Sequence, residues 1–245
     1  MDVIGVIPAR YESSRFPGKV LANILGRTMI QWVWEAASKA HLLEDLIIAT
    51  DDEKVMKAIE AFGGKGILTS KGHLSGADRI CEIVNPLDVK VIVNIQGDEP
   101  LIKPAMIDDL ASVLVEDPST QMVTLKHEIQ DRVQLHDPNI VKVVTDKDGF
   151  ALYFSRSCIP YQVKQTEGSV FSPHGVYKHI GMYAYTKDFL FSFANFIPSS
   201  LEKAESLEQL RVLEHGCKIK VVETKYDSIS VDTPRDLDEV KKRIQ

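Results

Sequence analysis

The chain is poor in the features that classify many proteins at sight. It has three cysteines, Cys81, Cys158 and Cys217. They are scattered and odd in number, which argues against a disulfide framework, and they lack the paired spacing of a zinc site. Reduced thiols in a cytoplasmic protein are the simplest account. The seven histidines are too dispersed to suggest a metal centre. No apolar run approaches the ~20 residues that a membrane helix needs. The N-terminus lacks a basic segment followed by a long apolar stretch, so no signal peptide is expected. Positive charge is in deficit, 29 Lys and Arg against 35 Asp and Glu, for a net charge of -6. Nucleic acid is therefore not expected as a partner. There is no Gly-x-x-x-x-Gly-Lys-Ser/Thr loop, no Gly-x-Gly-x-x-Gly fingerprint and no Ser-His-Asp or Cys-His set, which weakens kinase, GTPase, dehydrogenase and hydrolase readings.

What is present is an ordinary globular composition, 44% hydrophobic and 26% charged over 245 residues. The first half alternates strand-like and helix-like stretches. Val3–Ile7, Leu46–Thr50, Gly66–Leu68 and Val89–Gln96 read as strands. Met29–Ala40, Glu53–Phe62, Asp78–Val84 and Met106–Val115 read as helices. That order predicts an α/β fold with a parallel, Rossmann-like sheet. After about residue 120 the pattern changes. Met122–Glu128 reads as a strand, Val141–Asp146 and Ala151–Ser155 as a hairpin, and Ile180–Tyr185 as a further strand. Helical stretches follow at Lys187–Asn195 and Leu207–Glu214, then a strand at Lys218–Thr224 and a helix at Pro234–Ile244. The expected sheet is therefore mixed but mainly parallel. The expected organisation is one domain over 1–245, with a nucleotide-binding half (1–120) and a substrate and dimerisation half (121–245).

The most informative stretch follows the first strand: Pro8-Ala9-Arg10-Tyr11-Glu12-Ser13-Ser14-Arg15-Phe16-Pro17-Gly18-Lys19. Three cations in one short loop repel each other, and a phosphate chain relieves that repulsion. Arg offers forked donors that match phosphate oxygens, and Lys offers a compact point charge. The loop also lies at the C-terminal end of a strand, where open α/β sheets bind ligands. A nucleoside triphosphate is the expected occupant.

Asn94-Ile95-Gln96-Gly97-Asp98-Glu99-Pro100 follows the most strand-like run. Gly97 allows a sharp turn, and Asp98 at the strand end is a natural Mg²⁺ ligand facing the phosphate loop. A plain turn acid is the alternative. Asp232, in Val231-Asp232-Thr233-Pro234, is a candidate second ligand or, equally, a helix cap. Ser75, Gly76 and Arg79 enter a helix and offer either base contacts or an ordinary N-cap. Arg156 suits the carboxylate of an acidic substrate. His179 and Tyr183 alternate with Gly181 on one strand face, so both can line one pocket. Glu208 and Gln209 suit hydroxyl recognition. Each of these five reads just as well as a packing residue.

Taken in order, the phosphate loop, Gln96–Pro100, Ala151–Arg156, His179–Tyr183, Leu207–Arg211 and Val231–Pro234 resemble the 3-deoxy-manno-octulosonate cytidylyltransferases, also called CMP-Kdo synthetases. The resemblance covers essentially the whole chain. It implies transfer of CMP from CTP to Kdo (3-deoxy-manno-octulosonate) with release of pyrophosphate, for lipopolysaccharide biosynthesis. It implies Mg²⁺ as cofactor, held by Asp98 and Asp232, and a homodimer. Pro8, Ala9, Arg10, Arg15, Lys19 and Gln96 are implied nucleotide-binding residues, with Arg10, Lys19 and Asp98 catalytic. Ser75, Gly76 and Arg79 lie where cytosine is expected. Arg156, His179, Tyr183, Glu208 and Gln209 are implied to bind the sugar acid. Ala77, where the family more often has Thr, is a departure that removes one hydroxyl.

Overall fold

The computed structural model describes residues 2–13, 16–73, 75–161 and 175–244. The strands are β1 (Val3–Pro8), β2 (Asn23–Ile24), β3 (Arg27–Thr28), β4 (Asp45–Thr50), β5 (Gly66–Leu68), β6 (Val91–Asn94), β7 (Met122–Glu128), β8 (Lys142–Thr145), β9 (Ala151–Ser155), β10 (Tyr177–Thr186) and β11 (Lys220–Glu223). The helices are α1 (Met29–Ala37), α2 (Glu53–Ala61), α3 (Gly76–Val84), α4 (Pro104–Glu116), α5 (Arg132–His136), α6 (Lys187–Ala194), α7 (Ser200–Glu205), α8 (Gln209–Glu214) and α9 (Pro234–Ile244).

The main sheet runs β11-β7-β10-β6-β1-β4-β5, with β8 and β9 joined to it through β10. β1 pairs in parallel with both β4 and β6, and β4 with β5. β10 enters antiparallel between β6 and β7. β11 then runs parallel to β7. Strands from both halves of the chain thus share one sheet.

The sequence of β1 explains its central place. Val3 and Ile7 pack with α1, α2 and α4 on one face, and Ile4 and Val6 pack with α3, α6 and α8 on the other. A strand covered on both faces is apolar throughout, as this one is. A third, smaller core joins Ile24, Met29 and the C-terminal Val231, Leu237 and Val240, fixing α9 beside α1.

The expected elements form, with ends displaced by a few residues. Four short ones are unforeseen: the β2–β3 hairpin, a 3-10 turn over Lys19–Leu21, α5 and α7. Each is too short to develop a period, and α7 buries none of its side chains. Its start was nonetheless written in the chain, because the Ser199 N–H donates to Glu202 Oε2 at 3.1 Å, one half of a capping box. The three cysteines are free. No helix among the described residues is long and apolar enough to cross a membrane.

Candidate active site

The C-terminal ends of β1 and β6 open into a cleft of about 1020 Å³. Pro8, Arg10, Lys19, Ser75, Gly76, Arg79, Gln96, Asp98, Glu208 and Asp232 all line it. Most of the sequence-predicted nucleotide and metal residues therefore converge on one space. Arg15 lies outside the described residues. Ala9 is fully buried, and its N–H donates to Ala49 O at 2.8 Å, so it anchors the loop and does not face the cleft.

Local backbone chemistry places the cations. Gly18 adopts φ 69°, a left-handed conformation that suits glycine, and its N–H donates to Tyr11 O at 2.9 Å. The chain then turns into the short 3-10 segment that begins with Lys19. Across the cleft, Gly97 passes so close to β1 that a Cβ there would sit 2.9 Å from Pro8 O. Only glycine permits this approach, and it carries Asp98 to the phosphate loop.

Lys19 joins three distant parts of the chain. Its Nζ donates to Asp98 Oδ2 at 2.5 Å, to Asp232 Oδ1 at 3.2 Å and to Val231 O at 3.3 Å. Burial pulls the ammonium's pKa down, but Asp98 and Asp232 outweigh that effect and hold it above its ordinary value. The C-terminal segment is tied in by its backbone too, with Val231 N–H donating to Asp98 O at 2.9 Å. The cap question at α9 is answered here. Thr233 Oγ1 accepts from Asp236 N at 3.4 Å, while Asp236 Oδ2 accepts from the Asp232 and Thr233 N–H groups. Thr233 is the cap, and the Asp232 side chain turns to Lys19.

Two acids far apart in the chain thus already surround one cation. Both are hard oxygen donors, which fits Mg²⁺, an ion that usually takes one or two protein carboxylates and completes its shell with water and phosphate. The neighbouring Glu99 turns away into the protein. It accepts from Ser228 Oγ at 2.6 Å, and burial, against that hydrogen bond, pushes its pKa up to about 7. Nearby, the largely buried Lys178 pairs with Asp227.

On the opposite wall, Ser75 caps α3 in a capping box with Asp78. Arg79 is buried, and its two terminal nitrogens are engaged by Thr69 Oγ1 and, at 2.6 Å, by Asp51 Oδ2. Its fork is held by protein, so its part in the wall is to fix α3 against β4 and β5. Farther round, Arg211 makes a bidentate pair with Glu202, at 2.7 and 2.5 Å. Its NH2 also lies 3.9 Å from Glu208 Oε1. Burial pushes the Glu208 carboxyl above its usual range.

The other predicted sugar residues, Arg156, His179, Tyr183 and Gln209, are not among the described residues that line this cleft. Arg156 directs Nε, Nη1 and Nη2 to the carbonyls of Glu205, Pro138 and Ser206, at 2.7, 3.0 and 3.3 Å. It ties β9 to the end of α7. His179 and Tyr183 do share a face, with ring centroids 5.4 Å apart. Burial pushes the Tyr183 phenol well above its ordinary pKa, with Glu208 contributing. Gln209 is buried, and its Nε2 has no hydrogen-bond partner among the described residues. An orphaned buried donor of this kind calls for an oxygen acceptor. Thr124, which contacts His179, belongs to no motif, and nothing around it in the sequence marks it. Glu202 belongs to none of the motifs, and Arg211 closes the Leu207–Arg211 motif without a role assigned to it from the sequence.

Known proteins of similar sequence and structure show the family. Residues 4–219 match the cytidylyltransferase family. A 3-deoxy-manno-octulosonate cytidylyltransferase of Geobacter metallireducens is 51% identical, covering 100% of this chain and 98% of the relative. One from Solibacter usitatus is 50% identical over 98% of this chain and 93% of its own length. Among solved structures, a CMP:2-keto-3-deoxy-manno-octonic acid synthetase complexed with CTP superposes with a TM-score of 0.91 at 40% identity, covering 100% of this chain and 98% of the other. The 4-diphosphocytidyl-2C-methyl-D-erythritol synthase of Anaerococcus prevotii shares the fold, with a TM-score of 0.63 at 17% identity over 100% of this chain and 99% of that one.

Proposed function

Since the chain belongs to the cytidylyltransferase family, among the 3-deoxy-manno-octulosonate cytidylyltransferases, we propose that it transfers CMP from CTP to the anomeric hydroxyl of Kdo. The sugar oxygen forms a bond to the α-phosphorus, the bond from that phosphorus to the β-phosphate oxygen breaks, and pyrophosphate leaves. The product is CMP-Kdo, an activated sugar for lipopolysaccharide. The observation that carries this reading is the Lys19 ammonium placed between Asp98 and Asp232 on the floor of the cleft.

Phosphoryl-type transfer asks little covalent chemistry of a protein and much alignment and charge neutralisation. Arg10 and Lys19 hold the triphosphate, and Lys19 stabilises charge on the departing pyrophosphate. Pro8, Gly76 and Ser75 shape the wall for the base, with Arg79 stiffening it from behind. Asp98 and Asp232 would hold Mg²⁺, which when bound favours ionisation of the attacking hydroxyl and offsets charge on the α-phosphate. Glu208 and Gln209 serve the sugar, the second through its unpartnered amide donor. No side chain is assigned as an obligatory general base.

We read 1–245 as one nucleotidyltransferase domain whose first half serves the nucleotide and whose second half serves the sugar. A homodimer through the second half goes with that reading. A cytoplasmic location, where CTP is made, goes with it as well.

The test is pyrophosphate release from CTP and Mg²⁺ with Kdo, its 8-amino analogue and sialic acid supplied in parallel. Release dependent on Kdo supports the proposal. Release with the amino sugar alone keeps the chemistry and changes the substrate. No release from folded protein with any of the three overturns it.

A further inference from the structure

β10 carries an irregularity opposite β7. Ile180 pairs with Leu125, yet the next matched pair is Tyr183 with Thr124, which leaves Gly181 and Met182 as extra residues. Such bulges re-aim side chains and are common beside active sites. Two side chains hold this one. Gln96, from the cleft wall, donates through Nε2 to Gly181 O at 2.8 Å. Thr124, fully buried in β7, places Oγ1 3.1 Å from Ile180 O and 2.9 Å from Met182 O.

The same Thr124 oxygen lies 2.9 Å from His179 Nε2. A hydroxyl carries one proton and accepts through its lone pairs, whereas a carbonyl only accepts. If Thr124 gives its proton to a bulge carbonyl, His179 Nε2 must carry a hydrogen, and both contacts are satisfied. If Nε2 is bare, the single hydroxyl proton goes to the ring. Both carbonyls then face oxygen lone pairs in a buried place, which is costly. The first arrangement wins by one hydrogen bond and leaves one bulge carbonyl, not two, facing an oxygen lone pair.

The ring is also fixed in place and in charge. Phe154 meets it edge-on with centroids 4.9 Å apart, and the Tyr183 ring lies 5.4 Å away. Burial pushes the imidazole pKa down to about 3, so it is neutral near pH 7. With Nε2 protonated, Nδ1 is bare, and it has no hydrogen-bond partner among the described residues. A bare, neutral imidazole nitrogen accepts a hydrogen bond and repels a carboxylate oxygen.

We propose that Thr124 is a positioning residue: it locks His179 in the Nε2-protonated tautomer, so that Nδ1 accepts a hydrogen bond from a hydroxyl of the polyol substrate rather than meeting its carboxylate. The identity of the ligand rests on the sugar-acid reading above; the tautomer rests on the geometry alone.

The experiment is long-range ¹H–¹⁵N NMR on protein with ¹⁵N-labelled histidine, with His179 assigned by the signals lost in His179→Gln. In the ligand-free native protein at pH 7, Nε2 is expected to be protonated and Nδ1 bare. Thr124→Val, which keeps the shape and removes the hydroxyl, should shift the population toward the other tautomer, and Thr124→Ser should restore it. Added Kdo should move the Nδ1 signal in the direction of an accepted hydrogen bond. In kinetics, Thr124→Val should raise KM for Kdo about tenfold, the scale of one ordinary hydrogen bond, with KM for CTP little changed. A protonated Nδ1 in the native protein overturns the lock, as does an unchanged tautomer in Thr124→Val. If Thr124→Val does not fold, the native spectrum and Thr124→Ser still decide. A native enzyme that releases pyrophosphate with Kdo while Nδ1 stays unmoved overturns the hydroxyl contact. A native protein that does not turn over Kdo overturns the functional reading instead, and the ligand-free spectrum still judges the lock.

Discussion

Lys19 donates to Asp98 at 2.5 Å although the two residues come from the ends of different strands, the first leaving β1 and the second leaving β6. β1 and β6 are parallel neighbours, so their C-terminal loops emerge side by side. A cation from one loop and an anion from the next are thereby matched before any substrate arrives. When a triphosphate enters, Lys19 can exchange a carboxylate partner for phosphate oxygens without crossing the site.

Lys19→Ala removes that charge from between Asp98 and Asp232. Turnover of CTP and Kdo should fall by about 10²-fold or more, since each ~1.4 kcal/mol of lost transition-state stabilisation is tenfold. Steady-state pyrophosphate release measures it, and an unchanged kcat removes Lys19 from the mechanism.

Asp98→Asn keeps the size and loses the negative charge. The variant should need more Mg²⁺ and should turn over more slowly when the ion is limiting. A titration of rate against Mg²⁺ decides the matter: a curve that overlays the native one ends the case for Asp98 as a ligand.

Ser228→Ala leaves the buried Glu99 without its 2.6 Å donor. The expected loss is about 1–3 kcal/mol of folding stability, the cost of an unsatisfied buried acceptor. Urea unfolding should show a lower midpoint with an unchanged slope. A midpoint equal to the native one would mean that Glu99 finds another partner.

His179 makes the fold sensitive to acid. Its ordinary pKa of 6.5 applies to the unfolded chain, and burial lowers it to about 3 in the folded one. Between those values the unfolded chain binds the extra proton, so stability rises with pH there. This contribution is complete above about pH 6.5 and is lost as pH falls toward 3. Unfolding free energies at pH 7 and pH 5 should therefore differ less in His179→Gln than in the native protein. Equal pH slopes in the two would show that His179 is not the group responsible.

The long elements were legible because their periods were. β1, α2, β7 and α9 announce themselves by apolar spacing over several residues. The β2–β3 hairpin and α7 do not, since two strand residues or a helix with no buried side chain cannot show a period. The phosphate loop was legible because three cations in one loop have few other uses. The pairing of Asp98 with Asp232 was nameable by resemblance, but its physical cause is tertiary. It depends on Gly97 passing over Pro8 and on Val231 hydrogen bonding to Asp98. Arg79 and Arg156 show the opposite limit. Their type suggested ligands, yet the fold surrounds their guanidinium groups with Asp51 and Thr69 in one case and with three backbone carbonyls in the other. Charge type is visible in a sequence, but the partner it finds is not. Thr124 was invisible for the same reason: its hydroxyl matters through a bulge two strands' worth of chain away.

The late position of Asp232 bears on how the molecule comes into being. A ribosome delivers the phosphate loop first and the Asp98 turn well after it, but the second carboxylate emerges only with the segment that β11 hands to α9. A nascent chain halted before that point has a cationic loop and one acid. It lacks the Val231 hydrogen bond and the small apolar core that seats α9 beside α1. Completion of the cleft therefore waits on the segment that follows β11, and a chain released short of residue 232 is expected to collapse around β1 without completing it.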